Sequence, residues 1–431
     1  MLFITLVIVA TLLACYLLMT WSPVIHLNRA ALAMFSGVFV WAVFTLHGGV
    51  AEPGSLISTY IDRACQVILF LIATNTIIEI LHNNGVFDSL QWWLRMRSSK
   101  RFLWILSLLT FIISANVDNL TTVVLMMSIM SRIVANHRQR IVYACAILLA
   151  ATLGGAFTVI GDMTSLMLWV GDTVTATGYA KGLFLPCIAS LAVFNLSLTP
   201  LLHGNVEVHS ALHRYRGDDS LLHPWQKTTM LAIGIIGLWF IPSFRLITHF
   251  PAFLGALCLL ALVWLVEGIF TFKVNGNRLF VDRKYLSNTE FIGMQIILYY
   301  LGISLGVGAL TECGALQAAH AFLTQHLQNV YAYGLVVGAL SSVIDNVPVV
   351  MMGMNIFPID PATTQFCQDG TYWQLLSYCS AMGGCLLYIS TLAGQALLSV
   401  EKIRLTWYLR HILWRVLIAW GIGLLIFRLT H

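Results

Sequence analysis

Charged residues are scarce in this chain. Only 10% of its 431 residues are Asp, Glu, Lys or Arg, while 59% are hydrophobic; a soluble domain averages about 25% charged. That deficit excludes a soluble globular fold and marks a polytopic membrane protein. Lys and Arg are absent ahead of Arg29. A secretory signal peptide carries positive charge before its apolar run, so residues 2–20 are expected to be a retained span. The nine Cys form no CxxC pair, which disfavours a zinc site, and their scatter through apolar runs disfavours a disulfide framework. No HExxH word occurs, so metalloprotease chemistry has no motif to rest on.

The polar character that is present gathers at a few places. Ser114-Ala-Asn-Val-Asp118-Asn119-Leu-Thr-Thr122 lies inside an apolar run over 102–134, and Ser341-Ser-Val-Ile-Asp345-Asn346-Val-Pro348 repeats the word near the other end. Ionisable residues inside a membrane-grade segment are costly, and their default reading is functional. Two longer apolar stretches, 141–170 and 373–400, are interrupted by Gly154-Gly155…Gly161-Asp162 and Gly383-Gly384…Ser390-Thr391. Asp118 precedes Gly154 by 36 residues and Asp345 precedes Gly383 by 38. Two matched features at matched spacing indicate an internal duplication.

Runs long enough to cross a ~30 Å hydrocarbon core, about 20 residues, are expected near 2–20, 30–46, 64–81, 183–202, 228–248, 251–272, 291–310 and 411–429. The stretches 141–170 and 373–400 read as further spans, each discontinuous. The runs 102–134 and 316–356 differ. Their arms of about 12–15 residues reach only about 20 Å as helix, which suits re-entrant hairpins with Asp-Asn near the tip. The expected fold is an all-α polytopic membrane protein of about ten spans plus two hairpins. A first repeat would cover 1–202, a cytoplasmic linker 203–227 and a second repeat 228–431.

Charge placement fits that threading. With the N-terminus outside, 18 of the 23 Lys and Arg, Arg29 among them, face the cytoplasm, as the positive-inside rule requires. The net charge of +5 then belongs to loops beside anionic lipid, not to a nucleic-acid site. Five spans and a hairpin start the second half from the opposite side, so the repeats are expected to be inverted.

Broken helices and hairpin tips free backbone groups at membrane depth, which is tolerated only around a polar cavity. Asp118, Asp345 and Asp162 around such a cavity favour a cation and repel a free anion. A carboxylate short of water holds its proton tightly and a bound cation loosens it. Proton and cation then compete, and antiport follows if only an occupied site changes sides. Ser114, Thr122, Thr158, Thr164, Ser165, Ser341, Ser390 and Thr391 offer neutral oxygens to a hard cation; Asn119 and Asn346 add amides. Glu79 and Glu312, near the ends of the spans before the hairpins, are auxiliary candidates for a proton relay. Glu207, His209, His213 and His223 have the spacing of a metal cluster, although solvated His in a cytoplasmic loop is the plainer reading.

At 114–127, 154–169, 341–355 and 383–410 the chain resembles NhaD-type sodium/proton antiporters of the ion transporter superfamily. The shared words are Asp118-Asn-Leu-Thr-Thr, Ile160-Gly-Asp-Met-Thr164, Asp345-Asn-Val-Pro, Met352-Gly-Met and Glu401-Lys-Ile-Arg-Leu-Thr-Trp-Tyr. The resemblance implies exchange of Na+ or Li+ for H+ across a bacterial cytoplasmic membrane, with no cofactor beyond the transported ions. It also implies inverted repeats with two hairpins and two broken helices, a homodimer, and elevator-like movement of the site. It carries ion-site roles onto Ser114, Asp118, Asn119, Asp162, Thr164, Ser165, Ser341, Asp345 and Asn346. Departures are Thr152, where the family pattern has Asn, Val159, where it has Pro, and Ser390, where it has Gly. Two other readings stay open. One is a Na+-coupled carrier of dicarboxylate, citrate or arsenite, disfavoured because no Lys or Arg stands at either break. The other is a non-transporting membrane subunit or sensor on the same fold.

Overall fold

The computed structural model describes residues 2–48, 53–89, 94, 96, 98–206, 223–275, 286–327 and 329–431. Glu207, His209 and His213 lie outside the described residues; His223 stands just before a helix. The first half contains α1 (Leu2–Thr20), α2 (Arg29–Gly48), α3 (Pro53–Asn83), α4 (Ser99–Ser114), α5 (Asn119–Ile133), α6 (His137–Ala156), α7 (Met163–Val170) and α8 (Ala176–Leu198). The second contains α9 (Pro224–Thr248), α10 (Ala252–Asn275), α11 (Leu286–Glu312), α12 (Ala315–His326), α13 (Val330–Val343), α14 (Asn346–Ile356), α15 (Thr371–Leu386), α16 (Leu392–Glu401), α17 (Leu405–His411) and α18 (Leu413–Thr430).

Nine helices among the described residues are long and apolar enough to cross a membrane. Their boundaries follow local rules. Pro53 and Pro224 open α3 and α9, where a missing N–H costs nothing. Asn136, Thr175 and Asn329 cap α6, α8 and α13 by accepting a backbone N–H from the first turn, the usual task of such residues.

One expected boundary is corrected. The second helix–turn–helix pair is α13 and α14, not the whole of 316–356, and α12 is a separate helix of 12 residues ahead of it. The run looked continuous because Asp345 is its only Asp, Glu, Lys or Arg. The true entry is Asn329, whose side chain accepts the Tyr331 N–H at 3.0 Å. Both pairs are short, with arms of 16, 15, 14 and 11 residues, or about 24 Å at most.

Packing repeats along with element order. The contact of α2 with α11 is matched by that of α10 with α3, and α1 on α2 by α9 on α10. The same holds for α4 on α6 and α13 on α15, and for α5 on α16 and α14 on α7. The short pairs and broken helices thus form one bundle, which rests on α3 and α11 of the other group.

The tightest crossings in that bundle need glycine. A Cβ on Gly154 would run into the Phe111 carbonyl oxygen, and one on Gly383 into that of Gly338. Phe111 and Gly338 each lie three residues before the equivalent Ser114 and Ser341, so the two contacts correspond. Neither neighbour is a flexible side chain, so Gly154→Ala and Gly383→Ala should each destabilise the protein by about 1–3 kcal/mol through overpacking. Gly421→Ala, which meets nothing within 4 Å, should leave thermal unfolding in detergent unchanged. Equal melting of all three variants would refute the close-crossing explanation.

Glu401 ties α16 to α6. It ends α16, is 2% exposed, and lies 3.1 Å from Arg140 Nε and 3.2 Å from His137 Nδ1 at the start of α6. Removing one partner of a buried pair leaves the other uncompensated, at about 3–5 kcal/mol. Arg140 is partly exposed, so Glu401→Gln should fall at or below the lower end of that range. Its melting temperature should nonetheless drop clearly below that of the parent, and an unchanged one would rule the clamp out.

Candidate cation site

Four helices begin at one cavity. Its volume is about 20 Å³, and it is lined by Asp118, Asn119 and Leu120 of the α5 start, Asp162 and Met163 of α7, Asp345, Asn346 and Val347 of α14, and Thr391, Leu392 and Ala393 of α16. Ile296 of α11 completes the lining. Such a volume accommodates one water-sized occupant. The residues that cap the four helices are Asp118, Asp162, Asp345 and Thr391. Asp118 and Asp345 are equivalent in the duplication, and Asp162 and Thr391 stand eight residues after Gly154 and Gly383. The repeated sequence therefore builds the wall twice, with one carboxylate replaced by a hydroxyl.

Helix ends make the cluster of acids tolerable. Each N-terminus acts as roughly +0.5 of a charge, so four of them offset about two of the three carboxylates. Asp162 stands between the other two acids, bonded to Asn119, the neighbour of Asp118, and to Asn346, the neighbour of Asp345. Among the described residues no three His, Cys, Asp or Glu groups converge tightly enough to hold a metal ion as a fixed ligand set.

Asp162 joins the two repeats. Its Oδ1 accepts Asn119 Nδ2 at 2.9 Å, and its Oδ2 accepts Asn346 Nδ2 at 3.5 Å and the Thr164 hydroxyl. Asp345 accepts its neighbour's N–H (Asn346) at 2.9 Å. Asp118 makes a longer bond, 3.4 Å, from Thr121 N.

The structure brings Asp118, Asn119, Asp162, Asp345, Asn346 and Thr391 to the cavity wall, with Thr164 behind Asp162. The other expected ligands brace the bundle instead. Ser114 donates to the Ala151 carbonyl at 2.6 Å and Ser341 to that of Ser380 at 2.7 Å, an equivalent pair three residues before each Gly-Gly. Thr158 donates to Ala115 O at 2.7 Å and accepts Gly161 N at 3.1 Å. Ser165 donates to Asp162 O at 2.8 Å, Ser390 to Leu387 O at 2.9 Å and Thr152 to Leu148 O at 2.9 Å. Thr122 lies 3.4 Å from Val117 O. Hydroxyls inside apolar helices commonly bond back to carbonyls in this way. Glu79 is half-buried on α3 and Glu312 accepts the Tyr60 hydroxyl at 2.8 Å; neither lines the cavity.

Sequence reasoning missed two residues. Arg29, expected in a cytoplasmic loop, is 7% exposed at the start of α2. Its Nη1 lies 3.8 Å from Asp345 Oδ2, and its Nη2 donates to the carbonyls of Ile389 and Ser390 at 3.1 and 3.0 Å. An arginine does stand at the second break, contrary to expectation, because it arrives from 360 residues away. Tyr299 of α11 donates its hydroxyl to the same Asp345 oxygen. The available signal was isolation: Arg29 is the only charged residue before Glu52.

A cavity of about 610 Å³ opens between Tyr60, Val67 and Tyr300 on one side and Met167 and Met351 on the other, and it contains none of the site acids. Gly302-Ile-Ser-Leu-Gly306 has the spacing of a hydrolase nucleophile elbow. It lies within unbroken α11, however, where Gly302 packs against the α2 backbone at Ala33.

A helical bundle that spans a membrane and buries an acidic cavity at four helix starts belongs to the class of membrane transporters, not enzymes. The chain belongs to the citrate transporter family, whose family model matches residues 1–383. It is 27% identical over 424 residues to sodium/proton antiporter 2 of Arabidopsis thaliana, covering 96% of this chain and 97% of that one. It is also 27% identical over 386 residues to the Na(+)/H(+) antiporter NhaD of Vibrio parahaemolyticus, covering 83% and 87%. NhaD of Vibrio cholerae is 25% identical over 439 residues, covering 94% and 87%. The resemblance to NhaD-type proteins of the ion transporter superfamily thus extends well beyond the short motifs.

Proposed function

We propose that this chain exchanges Na+ or Li+ for H+ across a cytoplasmic membrane, the cation and the proton taking turns at Asp118 and Asp345. The observation that carries the reading is the cavity of about 20 Å³ ringed by Asp118, Asp162 and Asp345. One small cation fits there. Citrate does not, since organic ligands occupy pockets of about 300–1,000 Å³. Arg29 aside, the helix ends leave about one negative charge uncompensated, which one monovalent cation or one proton balances. The relatives' names, sodium/proton antiporter and NhaD, support the same chemistry.

In this reading the two repeats, 1–202 and 228–431 with the linker 203–227 between them, lie inverted in the membrane with the N-terminus outside. The bundle of α4–α8 and α13–α18 moves against α1–α3 and α9–α11 in an elevator-like step, within a homodimer. The larger cavity, between the two groups, serves as a vestibule. Vesicles holding the purified protein and an imposed pH gradient provide the test. Added Na+ or Li+ should move protons, while K+ and citrate should not. A second reading, a Na+-coupled citrate carrier, draws on the family's description and on Arg29 at the break. Citrate uptake without sodium-triggered proton movement would establish it and overturn the first.

A further inference from the structure

We propose that Arg29 is a built-in cation that pairs with Asp345 from beside the cavity when no ion is bound, and that a transported ion takes its place as the counter-charge of Asp345. The inference rests on the reading of the site as a cation site. Arg29 comes from α2, in the group against which the site bundle packs, whereas Asp345, Ile389 and Ser390 belong to the bundle. Its Nε is anchored within its own group, on Met19 O at 2.9 Å and Ser22 Oγ at 3.1 Å. Its Nη2 reaches across to the two carbonyls freed by the break before α16. Its Nη1 is buried, makes no hydrogen bond, and faces Asp345 at 3.8 Å. The guanidinium therefore meets Asp345 through charge alone, without the bidentate geometry that would make that pair permanent.

Charge balance gives the contact its consequence. Four helix ends and three carboxylates leave about one negative charge, and Arg29 cancels it in this conformation. Carbonyls at a helix break plus a carboxylate are also what a cation seeks, so Arg29 sits on ligands of the kind an ion uses. The duplication makes the asymmetry plain. Among the described residues no guanidinium pairs with Asp118, so the surrounding helices treat the two equivalent acids differently. Moving the bundle away from α2 strips Asp345 of its counter-charge. An ion or proton must supply a replacement first, which couples occupancy to movement.

The test uses reconstituted protein, with wild-type exchange measured in the same preparation so that failure of the cation reading shows separately as no sodium response at all. Arg29→Gln should lower the sodium KM about tenfold, the factor expected if the guanidinium holds the site about nine-tenths of the time, and should lower the maximal rate. Arg29→Lys, which keeps the charge, should keep the parental KM. A purely structural arginine would instead lower the rate with KM unchanged, or leave Lys and Gln equally impaired; either result overturns the proposal. Because Arg29→Gln can compromise folding, the parent chain supplies a second readout. Modification of Arg29 by an arginine-specific dicarbonyl, followed by mass spectrometry, should speed up when Na+ replaces choline. Equal or slower modification in Na+ overturns the proposal whatever the variants do.

Discussion

Asp118→Asn should reduce sodium-driven proton movement to the level of protein-free vesicles. The carboxylate lines the cavity at the start of α5, where it accepts Thr121 N at 3.4 Å. A unit charge about 4 Å from a cation contributes about 4 kcal/mol at the effective dielectric of a protein site. That corresponds to roughly a thousandfold in affinity, enough to empty the site at ordinary sodium concentrations. The proton cycle is lost as well, since an amide has no proton to exchange. Asn caps helices as well as Asp does, so the fold should survive, and melting in detergent should match the parent. An Asp118→Asn protein that folds and still exchanges would exclude Asp118 as the shared site.

The second large effect is on pH. Below the pKa of the shared carboxylate, each unit of acidification should raise the sodium KM about tenfold, because one proton bound excludes one cation and the two equilibria are linked. The sign is fixed: lower pH fills the site with protons and Na+ must displace them. At saturating sodium the initial rate should be much less sensitive, since the competitor is outcompeted. Rates measured over a grid of pH and sodium concentration would show this as intersecting competitive plots. A KM that stays level while the maximal rate falls with pH would place proton and cation at separate sites.

Much of the fold was legible because membrane spans advertise themselves by length and hydropathy. The residues 2–20 match α1 end to end, and both interrupted stretches break where Gly-Gly and the following polar residues announced it. The acids were legible for the same reason: Asp118, Asp162 and Asp345 are conspicuous in apolar sequence, and all three reach one cavity. What stayed hidden depends on packing between distant segments. Ser114 and Ser341 looked like ligands, yet each bonds a carbonyl on the neighbouring helix, 37 and 39 residues on. Arg29 and Tyr299 looked like an ordinary loop cation and an ordinary span aromatic. No local pattern joins them to Asp345, because the contact exists only once α2 and α11 are packed beside the break. The start of the second short helix pair is likewise hidden, because the stretch before Asn329 carries no charge to mark the turn.

The most direct measurement is the number of protons released when sodium binds. Titration calorimetry of the purified protein in two buffers of different ionisation enthalpy gives that number from the difference in heats. If a metal ion and a proton share Asp118 and Asp345, Na+ should release roughly one proton per ion bound at a pH where the site is mostly protonated. Heats that are identical in the two buffers while sodium still binds would contradict shared occupancy.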